Sequence, residues 1–383
     1  MREKPLVSAF MFGHFTHHVA TTLLTPLLPM IRDSFGLSYA QSGFLVSAFS
    51  VSQGLSQAPI GVLADRVGSR PVVTVGLIGT GVVCFLIGLA MDYGQLLLLL
   101  VALGIIAGTY HAPAAALLAQ VFPSERRGGV LGMHTVGGNF SFLATPLVAG
   151  GLTAVTLTWR TPFVAFAIAP IVAGLALMLF LPATNERSRG APNLQMLREL
   201  AGVFRIVGPL LTASVFFQML YAAVTAFLAL YLVDERGFEA PAAAALVAAP
   251  YLAGMLGSPL GGVLSDRVGR KPVIVMSLVC TGPLLFFLAV APTILLIPIM
   301  ILMGLAGSMR QPVIEGLLLD RAPVERRATT LGAYYLAAQE LGGFAAPALG
   351  LMAGVFGLSL ALGVVGAVAA VCSMALVLVQ RKL

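Results

Sequence analysis

The chain contains long blocks without a single charged side chain, and these blocks limit the folds that it can adopt. Charged residues make up 10% of its 383 residues, against roughly a quarter in an ordinary globular chain. Asp, Glu, Lys and Arg are all absent from residues 5–31, 34–64, 71–91, 93–124, 128–159, 161–185 and 206–233. Each block has at least the roughly 20 apolar residues that a helix needs to cross a bilayer. The sequence therefore predicts an all-α integral membrane protein and excludes a soluble one.

The rest of the chain continues this pattern with a few isolated charges. Pro292 and the stretch from Gly354 to Gly357 divide blocks that are long enough for two spans. Twelve transmembrane helices are predicted, at about 6–30, 40–63, 71–91, 95–119, 128–152, 161–181, 206–232, 240–264, 272–291, 293–318, 328–353 and 356–379.

The sequence repeats itself at half its length. Residues 61–71 read GVLADRVGSRP, and residues 262–272 read GVLSDRVGRKP, 201 residues later. PSERR at 123–127 likewise returns as PVERR at 323–327. Such a period indicates two copies of one structural unit. We predict an N-terminal six-helix bundle (1–181), a polar cytoplasmic linker (182–204) and a C-terminal six-helix bundle (205–383).

The net charge of +7 is explained by membrane topology. If the N-terminus is inside, the inner loops carry 18 of the 22 Lys and Arg residues. Loops rich in Lys and Arg stay in the cytoplasm, so both termini are predicted to be cytoplasmic in a multi-pass protein of the bacterial inner (plasma) membrane. Because topology accounts for the excess of positive charge, no nucleic-acid partner is predicted. The three cysteines are read as buried, inert thiols.

Twelve spans in two repeated halves, with the motif G-x-x-x-D-R-x-G-x-[RK] after span 2 and again after span 8, resemble the major facilitator superfamily. The residues that carry the motif are Gly61, Asp65, Arg66, Gly68 and Arg70 in the first copy and Gly262, Asp266, Arg267, Gly269, Arg270 and Lys271 in the second. Ser69 departs from the family pattern, which has a basic residue there. The resemblance implies two six-helix bundles around a central cavity that opens to alternate sides of the membrane.

The motif has a physical role in such a carrier. Gly61 and Gly68 would allow close helix contact and a tight turn. Asp65 would face the N-terminal end of span 11 near Arg327, where the helix dipole favours an anion, and Asp266 would face the start of span 5. These charges are predicted to hold a cytoplasmic gate shut. The alternative is that they only anchor the loops to lipid headgroups.

Spans 4 and 5 resemble one group within the superfamily. Residues 110–113 (YHAP), 132–134 (GMH) and 137–139 (GGN) are similar to those of bacterial fosmidomycin-resistance-type and proton-drug antiporters, although Ala112 interrupts the group's Tyr-His-Pro. The resemblance implies proton-coupled efflux of small drug-like or amphipathic molecules. The partners expected are a small-molecule substrate, protons and the lipid bilayer, and the protein is expected to act as a monomer.

All five histidines lie in predicted spans of the first half. His14, His17 and His18 share one helical face, His111 lies in span 4, and His134 lies in span 5. Histidine titrates near physiological pH, so these side chains could carry a proton through the membrane. We assign His14, His18, His111 and His134 to substrate binding and His111 also to proton coupling. Hydrogen bonding between helices is the alternative.

The second half supplies the other buried ionisable groups. Arg310 and Glu315 lie in span 10, and Glu340 lies in span 11, where ionised groups usually mark a transport pathway. Arg310 occupies the repeat position of His111, because Pro312 matches Pro113. It needs an anion, which would be either a substrate or Glu315 as a static partner. Arg310, Gln339 and its repeat equivalent Asn139 are assigned to substrate binding, and Glu315 and Glu340 to proton coupling.

Other functions stay open at this point. Arg310 would also suit an uptake carrier for an organic anion or metabolite. His14-x-x-His17-His18 matches one box of the membrane di-iron desaturases, which need roughly eight histidines, so a metal-ion carrier or an intramembrane metalloenzyme is a remote alternative. No nucleotide-binding Walker loop is present. We expect a transporter, not an enzyme, without a cofactor or a bound metal.

Overall fold

The computed structural model describes residues 3–122, 124–181, 194–321, 334 and 342–379. Every element in these ranges is helical, which confirms the all-α prediction. The helices of the first half are α1 (Glu3–Thr22), α2 (Leu24–Phe35), α3 (Tyr39–Val67), α4 (Ser69–Gly88), α5 (Tyr93–Ala107), α6 (His111–Val121), α7 (Ser124–Thr156) and α8 (Arg160–Phe180). Those of the second half are α9 (Leu194–Ala226), α10 (Leu228–Asp234), α11 (Ala240–Leu246), α12 (Ala249–Val268), α13 (Arg270–Val290), α14 (Leu296–Arg321), α15 (Gly342–Phe356) and α16 (Leu358–Val379).

Within the described residues, eight helical segments are long and apolar enough to cross a membrane. A ninth results if α9 and α10, which meet at a bend of 42°, form one span. The other three predicted spans correspond to α1 with α2, to α3, and to α15. The first two carry many polar side chains, including three histidines in α1 and three glutamines in α3. The start of the third lies outside the described residues.

The helices form two compact units. Unit 1 comprises Met1–Leu37, Phe44–Gly190 and Glu239–Ala245, and unit 2 comprises Ser38–Gly43, Ala191–Phe238 and Leu246–Leu383. The short segments of α3 and α11 that each unit takes from the other half do not follow the boundaries predicted at 181 and 205. Those boundaries stay a prediction.

Unit 1 is built on α4 packed against α8 and on α1 packed against α7 and α8. Its core is a continuous apolar cluster that includes Phe10, Leu77, Tyr110, Leu117 and Leu177. Tyr110 is the polar member of this cluster, and its hydroxyl therefore needs a hydrogen-bond partner.

Unit 2 is built on α12 packed against α14 and on α13 packed against α14 and α16. These contacts bring glycines of one helix against the backbone of another. A Cβ placed on Gly304 of α14 would collide with the carbonyl oxygen of Pro250 in α12. Small residues at such crossings let two helices approach closely where lipid gives no hydrophobic drive for association.

The two copies of the repeated loop form the same tight turn. Gly68 between α3 and α4 has φ +96°, and Gly269 between α12 and α13 has φ +91°. Side chains rarely adopt that backbone region, so glycine is required at both positions. The predicted tight turn is therefore present in each half. A Cβ on Gly61 or on Gly262 would meet no described atom within 4 Å. The close helix contact predicted at Gly61 stays a prediction, because the start of span 11 lies outside the described residues.

Candidate functional site

A break in the fourth span positions the predicted site residue His111 and its neighbour Tyr110. Helix α5 ends at Ala107 and α6 begins at His111. Pro113 has no N–H to offer the carbonyl of Thr109, so a continuous helix would lose a hydrogen bond there, whereas proline is tolerated in the first turn of a new helix. The break places Tyr110 and His111 at the start of α6.

The structure brings all five histidines together in unit 1. The His14 ring stacks on His134 of α7 with 4.1 Å between ring centroids. His14 and His18, one helical turn apart on α1, are 4.8 Å apart, and His111 lies 5.1 Å from His18. His17 lies 5.0 Å from His111 and stacks on Tyr110 at 4.6 Å. We call these five histidines and Tyr110 the histidine cluster. Its residues come from predicted spans 1, 4 and 5, which therefore approach one another in unit 1.

Three hydrogen bonds fix one side of the cluster. The Nδ1–H of His14 donates to the backbone carbonyl of His134 at 2.8 Å. The Tyr110 hydroxyl lies 3.1 Å from Nε2 of His134 and donates to the carbonyl of Phe10 at 3.3 Å. Because the hydroxyl has one hydrogen, Nε2–H of His134 is the donor to Tyr110 when Tyr110 donates to Phe10.

Other nitrogen atoms of the cluster have no partner among the described residues. Nε2 of His14 and both ring nitrogens of His17 are buried without a hydrogen bond. His17 is fully buried, and His14 and His134 are 8% and 6% exposed. Buried polar atoms are nearly always hydrogen-bonded in folded proteins. These three nitrogens are therefore positions where a proton, water or a ligand would be stabilised.

Arg310 is the centre of a second buried polar site, in unit 2. Its Nη2 donates to the Oε1 atom of Gln218 in α9 at 2.8 Å, whereas its Nη1 is buried without a hydrogen-bond partner among the described residues. Tyr221 and Tyr334 lie near enough to interact with its charge. An arginine stays charged even when buried, so this site favours an anion or another strong acceptor.

The structure does not show the Arg310–Glu315 pair, which was one of the two alternatives for Arg310. The hydrogen-bond acceptor of Arg310 is Gln218, and Glu315 instead accepts from Nε2 of Gln311 at 3.1 Å. Both residues project from α14, but a spacing of five residues turns their side chains apart on a helix, where neighbours are three or four apart. A static Arg310–Glu315 brace is therefore absent.

The other predicted binding residues are not among the contacts of the histidine cluster that the structure describes. Asn139 is exposed on α7, whereas His134 on the same helix is buried. Gln339 and Glu340 lie outside the described residues. Their assignments to substrate binding and proton coupling stay predictions.

The charged residues of the repeated loops are exposed or make contacts within their own unit. Arg70 donates to the carbonyl of Met178 at 2.6 Å, and Arg270 forms an ion pair with Asp320, also at 2.6 Å. Exposed side chains are found at Arg66, Asp266, Arg267 and Lys271. The side chain of Asp65 and the start of span 11 around Arg327 lie outside the described residues, so the predicted gate contacts stay untested.

Sequence reasoning missed Gln218. A neutral glutamine in a predicted span carried no charge signal. The repeat could have identified it. Gln218 follows His18 by 200 residues, close to the offset of the repeated loops, so the two residues occupy equivalent positions in the two halves. His18 contacts His111 in unit 1, and Gln218 binds Arg310 at the equivalent place in unit 2.

Solved structures share this fold over nearly the whole chain. A bacterial homologue of the human lysosomal transporter Spinster, in an inward-facing and occupied conformation, matches with TM-score 0.82 and 18% identity over 100% of this chain and 97% of that one. A single-site mutant of the nucleoside transporter NupG matches with TM-score 0.79 and 16% identity over 97% and 99% of the two chains. At these identities the likeness concerns the fold alone, and it confirms the predicted carrier fold of twelve transmembrane helices.

Comparison of sequences gives the family. The multidrug resistance protein MdtG of Citrobacter koseri is 27% identical over 352 residues, covering 88% of this chain and 85% of that protein. MdtG of Escherichia fergusonii is 26% identical over 362 residues, covering 91% and 87%. The family model described as Major Facilitator Superfamily matches residues 10–250 and 210–382. Because this match extends over most of the sequence, the chain belongs to the Major Facilitator Superfamily and is a multi-pass membrane protein that works as a secondary transporter.

Proposed function

We propose that this transporter exports small drug-like or amphipathic molecules from a bacterial cell in exchange for protons. It would work by alternating access in the inner membrane, as a monomer with both termini in the cytoplasm. Its relatives are named multidrug resistance protein MdtG, and this name supports the substrate class. Their match covers most of both chains.

The observation that carries proton coupling is the histidine cluster. Every histidine of the chain lies in it, and no carboxylate is among its ring contacts or hydrogen bonds within the described residues. Intramembrane titratable groups are rare and mark ion or proton pathways. Within the cluster, His111 is the proposed proton carrier, because its ring touches His14, His17 and His18. A proton could therefore move between neighbouring rings.

Arg310 supports a second candidate function, uptake of an organic anion. Among the described residues, its buried Nη1 has no hydrogen-bond partner and its Nη2 has the neutral partner Gln218. A carboxylate or phosphate group would neutralise the positive charge. Arginine recognises such groups with two parallel hydrogen bonds. In an exporter, the same side chain would select amphipathic molecules that carry an acidic group.

The gate belongs to the same proposal. Asp65 and Asp266 would interact with helix starts in the other half and close the cytoplasmic side. If so, Asp65→Asn weakens the outward-facing state, and cysteines introduced on the cytoplasmic side become more accessible to labelling from that side. Unchanged labelling would argue against the gate.

Transport in proteoliposomes tests the central proposal. Vesicles that are acidic inside should accumulate an amphipathic dye by exchange with protons, whichever way the carrier is inserted, and a protonophore should abolish the accumulation. An anionic and a cationic dye of similar size would separate the two substrate classes. His111→Ala should uncouple transport from the gradient but leave equilibrium exchange of the dye intact. Dye movement that ignores the protonophore would refute proton coupling.

A further inference from the structure

Three histidines of the cluster stand in the arrangement of a metal site. One side-chain nitrogen from each of His14, His18 and His111 can be chosen so that all three lie within 4.8 Å of one another. His14 and His18 lie four residues apart and so share one face of α1, and His111, the first residue of α6, completes the triangle. We propose that His14, His18 and His111 bind one divalent transition-metal ion of the zinc class.

The hydrogen bond of His14 prepares it to be a ligand. A backbone carbonyl can only accept, so the 2.8 Å contact with the carbonyl of His134 places the ring hydrogen on Nδ1 of His14. Its Nε2 then carries a lone pair, and this atom is buried without a hydrogen-bond partner. Histidines that bind metals commonly donate their other N–H to a carbonyl or carboxylate, which fixes the tautomer and the ring orientation.

The other two rings have room to adjust. Neither His18 nor His111 forms a side-chain hydrogen bond with a described residue, and both are only partly buried. Zinc–nitrogen bonds of 2.0–2.1 Å in a tetrahedral site bring the ligand atoms to about 3.3 Å from one another. Side-chain rotations that shorten the separations by about 1.5 Å would reach this geometry without moving a helix.

The chemistry of the three ligands selects the ion. Neutral imidazole suits zinc, cobalt, nickel and copper, whereas magnesium and calcium need oxygen ligands. No carboxylate contacts the three rings within the described residues. The ion would therefore keep its double charge and an open fourth position, which water, hydroxide or a small anion would occupy.

Gly138 allows α7 to pack directly against the His14 ring. A Cβ on this residue of α7 would collide with the His14 ring. Glycine here lets α7 approach the ring while the neighbouring turn supplies the carbonyl of His134. The metal site rests on ring positions within unit 1. A His111 ring that binds the ion would not carry a proton at the same time, so bound metal would block the proposed proton step at His111.

Cobalt binding to the complete protein tests the proposal. The protein should be purified in detergent through a tag without histidine, stripped with a chelator and titrated with Co²⁺. We expect one ion per chain, visible absorption bands typical of tetrahedral nitrogen ligation, and loss of these bands on addition of Zn²⁺. Azide should shift the bands, because it would enter the open fourth position. Absence of a stoichiometric cobalt spectrum would overturn the proposal.

Matched variants locate the site. His18→Ala and His111→Ala should each weaken Co²⁺ binding on the order of 100-fold. His134→Gln is the control, since it removes a cluster histidine but keeps the backbone carbonyl, and it should change the affinity less than about tenfold. Retained binding in His18→Ala together with loss in His134→Gln would overturn the assignment. If an alanine variant melts at a much lower temperature, His18→Gln and His111→Gln replace it, and these must also lose the cobalt spectrum.

Discussion

At the scale of single residues, the two polar sites meet the same problem, which is how to keep polar groups inside an apolar bundle. The histidine cluster uses side chains that can stay neutral. Arg310 cannot, so its charge must be stabilised by an anion or by hydrogen-bond acceptors, and among the described residues Gln218 supplies the acceptor oxygen. A polar group left buried without a partner destabilises the fold more than the hydrogen bond itself stabilises it. Gln218 should therefore matter for folding as well as for binding.

We predict that Gln218→Leu lowers the free energy of unfolding by about 1–3 kcal/mol, because Nη2 of Arg310 loses its acceptor. Arg310→Leu combined with Gln218→Leu removes both polar groups and should recover part of that loss. Gln311→Leu is the control, since Gln311 is exposed on the same helix as Arg310. Melting temperatures in detergent compare these three variants with Arg310→Leu alone, which completes the double-mutant cycle. Strictly additive effects of the two leucine substitutions would contradict the coupling.

At the scale of helices, the second and fourth spans of each half pack closely through one glycine and one serine, and the two halves place these residues on opposite helices. In unit 1, Gly108 faces the hydroxyl of Ser56 in α3, and in unit 2, Gly257 of α12 faces the hydroxyl of Ser308. Glycine and serine have therefore changed places between the second and the fourth span of each half. What is kept is the small combined volume at the crossing, which sets how closely the helices approach.

The glycines of α7 give a prediction with an internal control. A Cβ on Gly137 would collide with the backbone of Met11 in α1, whereas a Cβ on Gly132 would meet no described atom within 4 Å. Gly137→Ala should destabilise the protein by about 1–3 kcal/mol through overpacking. Gly132→Ala should be neutral or stabilise it by up to about 1 kcal/mol through helix propensity. Equal melting temperatures for the two variants would show that the α1–α7 contact does not depend on Gly137.

At the scale of the whole molecule, the repeat is a pattern from which each half departs. Arg270 pairs with Asp320 in unit 2. The equivalent positions in the first half are Ser69 and Gln120, so the charge and its partner are absent together. Similarly, His111 and His18 of the first half correspond in the repeat to Arg310 and Gln218 of the second half. One fold thus carries a site of neutral, titratable rings in one half and a permanently charged site in the other.

The distribution of charge predicts the orientation of the chain in the membrane. Because 18 of the 22 Lys and Arg residues fall in loops on one side, that side should be cytoplasmic. Green fluorescent protein fused after Leu383 should fluoresce, and alkaline phosphatase fused at the same place should be inactive. Fusions to the loop that contains Asp92 should give the opposite results. Active phosphatase at the C-terminus would reverse the proposed topology.

The fold class, the transmembrane spans, the family resemblance and the equivalence of the two halves could all be predicted from the sequence. These features follow from the length of the uncharged blocks and from a repeat, both of which can be read along the chain. Which polar atoms meet could not be predicted in this way, because it depends on how the helices pack. The tertiary structure joined His14 to the carbonyl of His134 across 120 residues and gave Arg310 the partner Gln218 instead of Glu315. Side-chain direction on a helix and the approach of distant helices govern such contacts, and neither can be read from spacing alone.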